Sequence, residues 1–382
     1  MRFEALVDQV LADLRAGSLL REPDDGTSRK SVAGAAERLG VAPLDASSND
    51  YLGFATRAVS RETLGNPGAA ASRLIYGSTA EHLALESDLA SWVGAETALF
   101  FSSTYAANLG LISALGVPGS VILSDSANHA SLIDGARLSK ATVQVLPHLD
   151  LDALGEALAT HRKARAVWVV TESYFSMDGD GPDLRATRAL CDEYDACLIV
   201  DEAHALGVFG PTGAGRCAEV GMKPDILVGA LGKAVGTQGG FVAGSRQLRT
   251  FLWNKARSFV FSTAPSPRLA DLSRVHVQLA REAKELRNAL SSNAAALRTE
   301  LQTAQLPLAP DSFGPIVSVI LGDNERVLAA AERLRGLGVL AQAIRPPTVP
   351  VGGARLRLTV KATFTPAEIA RLTRAVREAC AS

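Results

Sequence analysis

The chain has 382 residues, 47% hydrophobic and 21% charged, a balance that suits a globular protein with a large core plus a second, smaller lobe and excludes disorder. Its 39 Lys and Arg stand against 40 Asp and Glu, so no global field draws it to nucleic acid or an acidic membrane, and an anionic ligand must be caught locally. Cys191, Cys197, Cys217 and Cys380 form no CxxC pair, and no apolar run approaches the roughly 18 residues of a membrane span; both point to a cytoplasmic protein with reduced thiols and no metal site.

Phe3, Leu6, Val7, Val10, Leu11 and Leu14 recur at helical spacing with Glu4, Asp8 and Asp13 between them, which predicts an amphipathic surface helix rather than a signal peptide. From about 95 to 245 short apolar runs alternate with helical stretches. The predicted strands are Ala98 to Phe101, Val121 to Leu123, Val143 to Leu146, Ala166 to Thr171, Cys197 to Val200 and Ile226 to Val228. Their continuous apolar character suits strands buried on both faces of a mainly parallel sheet, an α/β architecture in which ligands gather at the carboxyl ends of the strands. Leu286, Leu290, Leu297 and Leu301 mark a long helix, followed by strands at Ile316 to Ile320 and Arg355 to Val360. A last helix starts with Thr365 as N-cap, Pro366 at the first position and Glu368 completing a capping box, with Phe364 and Ile369 as a hydrophobic staple. These elements predict an N-terminal helical segment over 1–45, a large domain over 46–284 and a smaller α+β C-terminal domain over 285–382.

The run Cys197-Leu-Ile-Val-Asp-Glu-Ala-His204 is a buried strand ending in two acids and a histidine. A solvated carboxylate is one reading of such a strand end, and a ligand-facing acid the other. DEAH is also the second motif of many ATP-driven helicases, but the GxxxxGK[ST] loop they require is missing, because Gly232-Lys233 is followed by Ala234. Lys233 follows the strand at Ile226 to Val228, in a loop of small residues where a lysine can approach an aldehyde closely and where apolar surroundings favour its reactive neutral form. With Asp201 and His204 it suggests a pyridoxal site: lysine for the imine, an acid to keep the ring nitrogen protonated, and a histidine near the phenolic oxygen.

Ten ordered blocks make the resemblance specific: SNDYLG at 48–53, SRLIYGS at 72–78, HxxLE at 82–86, YAAN at 105–108, NHASLIDGARLS at 128–139, TESYFSMDGD at 171–180, VDEAHALGVFGPTGAG at 200–215, LGKAVG at 231–236, FSTAPSP at 261–267 and IRPPTVP at 344–350. From Arg21 to the final helix the chain resembles the α-oxoamine synthases, fold-type I transferases dependent on pyridoxal 5'-phosphate (PLP). The resemblance implies catalytic roles for Lys233, His129, Asp201 and His204. His129 would stack on the ring, Asp201 would pair with its nitrogen, and Ser176 and His204 would sit near the phenolic oxygen. Amides of Thr104 and Tyr105 would hold the phosphate at a helix N-terminus, joined by Thr263 from the other subunit of a homodimer with shared sites. Arg357 would grip the amino-acid carboxylate through two parallel hydrogen bonds, with Asn49 lining the same pocket, and Arg21, Arg345 and Thr348 would serve the acyl substrate.

Within the family the IRPPTVP block favours the branch that condenses L-alanine with pimeloyl-CoA, or a pimeloyl carrier protein, to 8-amino-7-oxononanoate in biotin synthesis. The alternatives share the chemistry: glycine C-acetyltransferase, 5-aminolevulinate synthase, serine palmitoyltransferase or a secondary-metabolism acyltransferase. A non-catalytic subunit that keeps the fold is a different class, and the presence of Lys233, Asp201, His204 and His129 argues against it. The chain departs from the family pattern at Ala230, where threonine is usual, at Thr104, where glycine is usual, and at GAAASR (68–73), which lacks the usual extra glycines.

Overall fold

The computed structural model describes residues 3–21, 26–57 and 65–381, with backbone alone for residues 3–6. Among them are twelve strands: β1 (Leu44–Asp45), β2 (Thr97–Phe101), β3 (Val121–Asp125), β4 (Thr142–Leu146), β5 (Val167–Glu172), β6 (Cys197–Asp201), β7 (Ile226–Ala230), β8 (Gly240–Gly244), β9 (Ile316–Gly322), β10 (Val339–Leu340), β11 (Gln342–Ile344) and β12 (Ala354–Thr359). The chain divides into two units. One comprises Asp50–Ser176 and Asp180–Asn288; the other comprises Met1–Asn49, Met177–Gly179 and Ala289–Ser382. The N-terminal segment is therefore grouped with the C-terminal one.

The first unit is built on a seven-stranded sheet in the order β2-β8-β7-β6-β5-β3-β4. Strands β7, β6, β5, β3 and β4 pair in parallel, and β8 runs antiparallel to both its neighbours. All six predicted strands of this region are present within one or two residues of their expected ends. In the inner strands the continuous apolar runs have a direct cause, since successive side chains enter opposite cores; the edge strand β4 departs from the expected double burial, with Val143 and Val145 exposed and only Leu146 buried. Ile122 and Ile199 lie in one cluster with Leu99, Leu111, Val228 and Phe259; Leu123, Leu198 and Val200 lie in the other with Leu154, Val169 and Leu184.

Strand β8 is not among the predicted strands. Its sequence, GFVAG, reads as a turn, yet Gly240 is there because of packing: a Cβ at that position would stand 2.4 Å from the Thr104 Cα. The glycine lets the start of the helix Thr104–Leu115 lie directly on the sheet.

In the second unit β11, β12 and β9 form an antiparallel sheet, and β1 pairs in parallel with β10. The helix Lys284–Thr303 matches the predicted leucine pattern, with Leu290, Leu297 and Leu301 buried. The final helix, Pro366–Cys380, starts as expected: Thr365 Oγ1 accepts from Glu368 N, and Glu368 Oε2 accepts from Thr365 N at 2.8 Å. Phe364 and Ile369 are both buried. The N-terminal helix spans Phe3–Ala16, and its Val7 and Val10 remain exposed. No helix among the described residues is long and apolar enough to cross a membrane.

Candidate active site

The carboxyl ends of β3, β5, β6 and β7 in the first unit carry the residues singled out above. Asp201 closes β6 and is buried. Its Oδ1 accepts from Ala203 N at 2.8 Å and its Oδ2 from Asn108 Nδ2 at 2.7 Å. Two N–H donors orient the carboxylate, the arrangement an acid needs if it is to hold a third donor in a fixed direction. His204, buried three residues on, has Nδ1 2.8 Å from the Tyr51 hydroxyl.

His129 follows β3 and caps the helix Ala130–Leu138. Its Nδ1 accepts from Ser131 N at 3.2 Å and lies 2.8 Å from Ser131 Oγ. An accepting Nδ1 leaves the ring proton on Nε2. Burial holds this imidazole below its ordinary pKa, opposed by the charge of Asp201 and assisted by that of Lys233. The capping role was not visible in the sequence, because histidine is not among the usual N-cap residues.

Lys233 is half-buried in the connection between β7 and β8. The connection is pinned by Leu231 N to Gly239 O, Thr237 N to Leu231 O and Gly236 N to Lys233 O, each at 2.9 Å. Gly236 has φ +77°, and a Cβ there would lie 2.7 Å from the backbone of Phe54 and Ala55, so no other residue suits this turn. Thr104 is the first residue of its helix, with Ser103 Oγ capping Ala106 N at 3.0 Å. The Thr104 hydroxyl lies 3.5 Å from Gly229 O, beside Ala230. The Tyr105 ring stands edge-on to His129 at 6.3 Å, Ser176 is half-buried after β5, and Thr263 is exposed and forms a bridge with Ser72.

Two buried residues of this region were missed in the sequence. Glu172 ends β5 directly beside Asp201 in the parallel register, and its Oε1 accepts from His129 N at 2.6 Å. Burial pushes its pKa up to about 8, helped by Asp201 and opposed by Lys233. Asn108 donates through Nδ2 to Ser131 Oγ at 2.9 Å as well as to Asp201, joining the acid to the residue that holds the His129 ring. An asparagine inside the apolar helix sequence YAANLGLISAL and an acid ending an apolar strand were the available signals.

In the second unit Arg357 lies on β12 and is 2% exposed. Its Nη2 donates to Asn49 Oδ1 at 3.0 Å and its Nη1 to Thr359 Oγ1 at 3.2 Å, so the predicted Arg357 and Asn49 are together. Arg21 Nη2 donates to Thr348 Oγ1 at 3.1 Å, and Arg345 Nη1 donates to Ser18 O. Burial lowers the Arg345 pKa, and the nearby Arg21 charge lowers it further. The mutual repulsion of the two guanidiniums favours an anion beside them.

The residues of the first unit fit PLP by the chemistry of their donors. A buried carboxylate suits a protonated ring nitrogen, and a helix N-terminus suits a phosphate. A neutral imidazole offers a flat face, and a half-buried lysine offers an amine.

Comparison with known proteins agrees. The family model for aminotransferase class I and II matches residues 43–376. The 8-amino-7-oxononanoate synthase of Mycolicibacterium smegmatis is 43% identical over 360 residues, covering 91% of this chain and 93% of the relative. A solved structure of serine palmitoyltransferase from S. paucimobilis with bound PLP-myriocin aldimine superposes with a TM-score of 0.84 at 28% identity, covering 93% of this chain and 97% of that one. The 8-amino-7-oxononanoate synthase of Francisella tularensis gives 0.75 at 25% identity, over 88% and 97% of the two chains. The chain belongs to the aminotransferase class I and II family and, within it, to the 8-amino-7-oxononanoate synthases, PLP-dependent acyltransferases.

Proposed function

We propose that the protein joins L-alanine to a pimeloyl thioester, on CoA or a carrier protein, with loss of carbon dioxide, giving 8-amino-7-oxononanoate and the free thiol. The observation that carries the reading is the meeting of buried Asp201, neutral His129 and Lys233 at the strand ends of a chain from this family.

PLP, when bound, supplies a ring that accepts negative charge from the amino-acid α-carbon. Asp201, held by Ala203 and Asn108, would keep a proton on the ring nitrogen. His129 would cover the ring and exclude water from it. Lys233 takes the α-proton of alanine and returns a proton to the product carbon. His204 and Ser176 would hold the phenolic oxygen, and the amides of Thr104 and Tyr105 would hold the phosphate. Arg357 binds the alanine carboxylate beside Asn49, while Arg21, Arg345 and Thr348 receive the acyl thioester. Thr263 would contact the phosphate of a second copy, so that the working form would be a homodimer. Its exposure in the single chain is consistent with that role.

Thiol release measured for alanine, glycine and serine against several acyl thioesters tests the reading. Alanine with a pimeloyl thioester should give the highest kcat/KM, and Lys233→Ala should abolish turnover while the protein stays folded. Equal use of glycine or serine would move the reaction to another α-oxoamine synthase.

A further inference from the structure

Three connections at the carboxyl edge of the large sheet meet in an ion cluster outside the residues assigned above. Asp125 ends β3, His148 follows β4, and Asp180 lies beyond β5. His148 Nδ1 is 2.8 Å from Asp125 Oδ1, and its Nε2 is 3.1 Å from Asp180 Oδ2. Both carboxylate side chains are 10% exposed and the imidazole 27%. An imidazole bonded through both nitrogens to acceptor-only carboxylates carries both protons and a positive charge. Its ring stands edge-on to Phe175, with centroids 4.5 Å apart and planes at 89°.

Each carboxylate belongs to a connection that leads to the cofactor residues. Asp125 Oδ1 also accepts from Ala127 N at 2.7 Å, two residues before His129, and its Oδ2 accepts from Leu149 N at 3.0 Å. Phe175 N donates to Asp180 O at 2.9 Å, closing the loop that contains Ser176. We infer that His148 is a positioning residue of the cofactor site: as a cation it ties the connection bearing His129 to the connection bearing Ser176. The inference rests on the assignment of His129 and Ser176 to PLP.

The charged groups that face His148 are Asp125 from β3 and Asp180 from the connection after β5; Asp150, two residues on, turns away to cap Ala153 N at 2.8 Å. Burial disfavours the charge, but the bonds to the two aspartates outweigh it and push the pKa up to about 10, from an ordinary 6.5. The group's folded-state pKa is thus raised. Its contribution to stability is fully present below the ordinary value and disappears as pH rises through the folded one.

The test uses full-length protein stripped of PLP, with PLP dissociation constants measured by fluorescence titration for wild type, His148→Gln, Asp180→Asn, His129→Ala and Ser176→Ala. His148→Gln should weaken PLP binding at least ten-fold, and adding Asp180→Asn to it should cost little more, since both changes open the same clamp. Nitrogen-15 NMR at pH 8 should show both His148 nitrogens protonated. The melting temperature lost by His148→Gln should be largest below about pH 6.5 and shrink steadily as pH rises towards about 10. PLP affinity within two-fold of wild type for His148→Gln, while His129→Ala and Ser176→Ala weaken it, would overturn the positioning role and leave the site assignment standing. A neutral His148 ring at pH 8 would overturn it as well. Unchanged affinity in His129→Ala and Ser176→Ala would instead remove the assignment beneath it, and the inference with it. If His148→Gln fails to fold, Asp180→Asn, which breaks one arm of the cluster, carries the same affinity threshold.

Discussion

Two single residues at the candidate phosphate cup depart from the family pattern. Ala230 ends β7 where related synthases usually offer a threonine hydroxyl, and Thr104, in place of the usual glycine, brings a hydroxyl to 3.5 Å from Gly229 O. The Thr104 hydroxyl sits beside the strand end at Ala230, where it is placed to stand in for the absent threonine. A buried acceptor deprived of its donor loses about 1–3 kcal/mol, and a charged one more. Thr104→Gly is expected to weaken PLP binding by about that amount, and Ala230→Thr added to it is expected to restore much of the loss, measured as PLP dissociation across the four proteins. Unchanged or tighter binding by Thr104→Gly would show that its hydroxyl does not serve the phosphate. His129 stands out as a candidate site residue in its block, whereas the hydrogen bond from its backbone N–H to Glu172 is not legible there, because the two are 43 positions apart.

Elements differ in how far local sequence decides them. The final helix is readable residue by residue because Thr365, Pro366 and Glu368 satisfy its start from within four positions. Strand β8 is the opposite case, a segment bounded by glycines whose extension depends on pairing with β2 and β7. The connection at 68–73 shows a third situation. Ala70 sits exposed at φ +58°, a left-handed conformation that a Cβ disfavours and that the family's glycines accept freely. From it the chain enters the Ser72–Thr263 bridge, where Ala264 N donates to Ala71 O at 2.9 Å. Ala70→Gly should relieve the turn and raise unfolding stability by up to about 1 kcal/mol in chemical denaturation, after the extra freedom of glycine in the unfolded chain is subtracted. A net loss would mean that the unfolded-state term outweighs the strain.

For the whole molecule, composition left association open, since the net charge of −1 neither drives nor prevents contact between copies. The surface is more specific. Ile75, Tyr76 and Phe261 are 78%, 83% and 73% exposed, on two segments joined by the Ser72–Thr263 bridge. Exposed apolar side chains grouped in this way mark an association surface. Ile75→Glu combined with Phe261→Glu is expected to convert a dimer to a monomer by light scattering and to weaken PLP binding together with it, because Thr263 of the second copy is lost. A dimer that survives both changes with normal PLP affinity would place the association surface elsewhere.

Taken by itself, the amino-acid sequence determined the parallel core strands, the acids and lysine at their ends and the capped last helix. Each of these rests on a pattern contained within a few neighbouring residues or on an ordered block shared with a family. The tertiary structure decided what those patterns cannot express. Asn108 reaches Asp201 across 93 positions, and His148 reaches Asp125 and Asp180 across 23 and 32. In the chain each is an isolated polar residue with no periodic signal. Only when the strands stand side by side, and their carboxyl ends come to one edge, does burial make an unpaired polar group costly and so join these residues into networks.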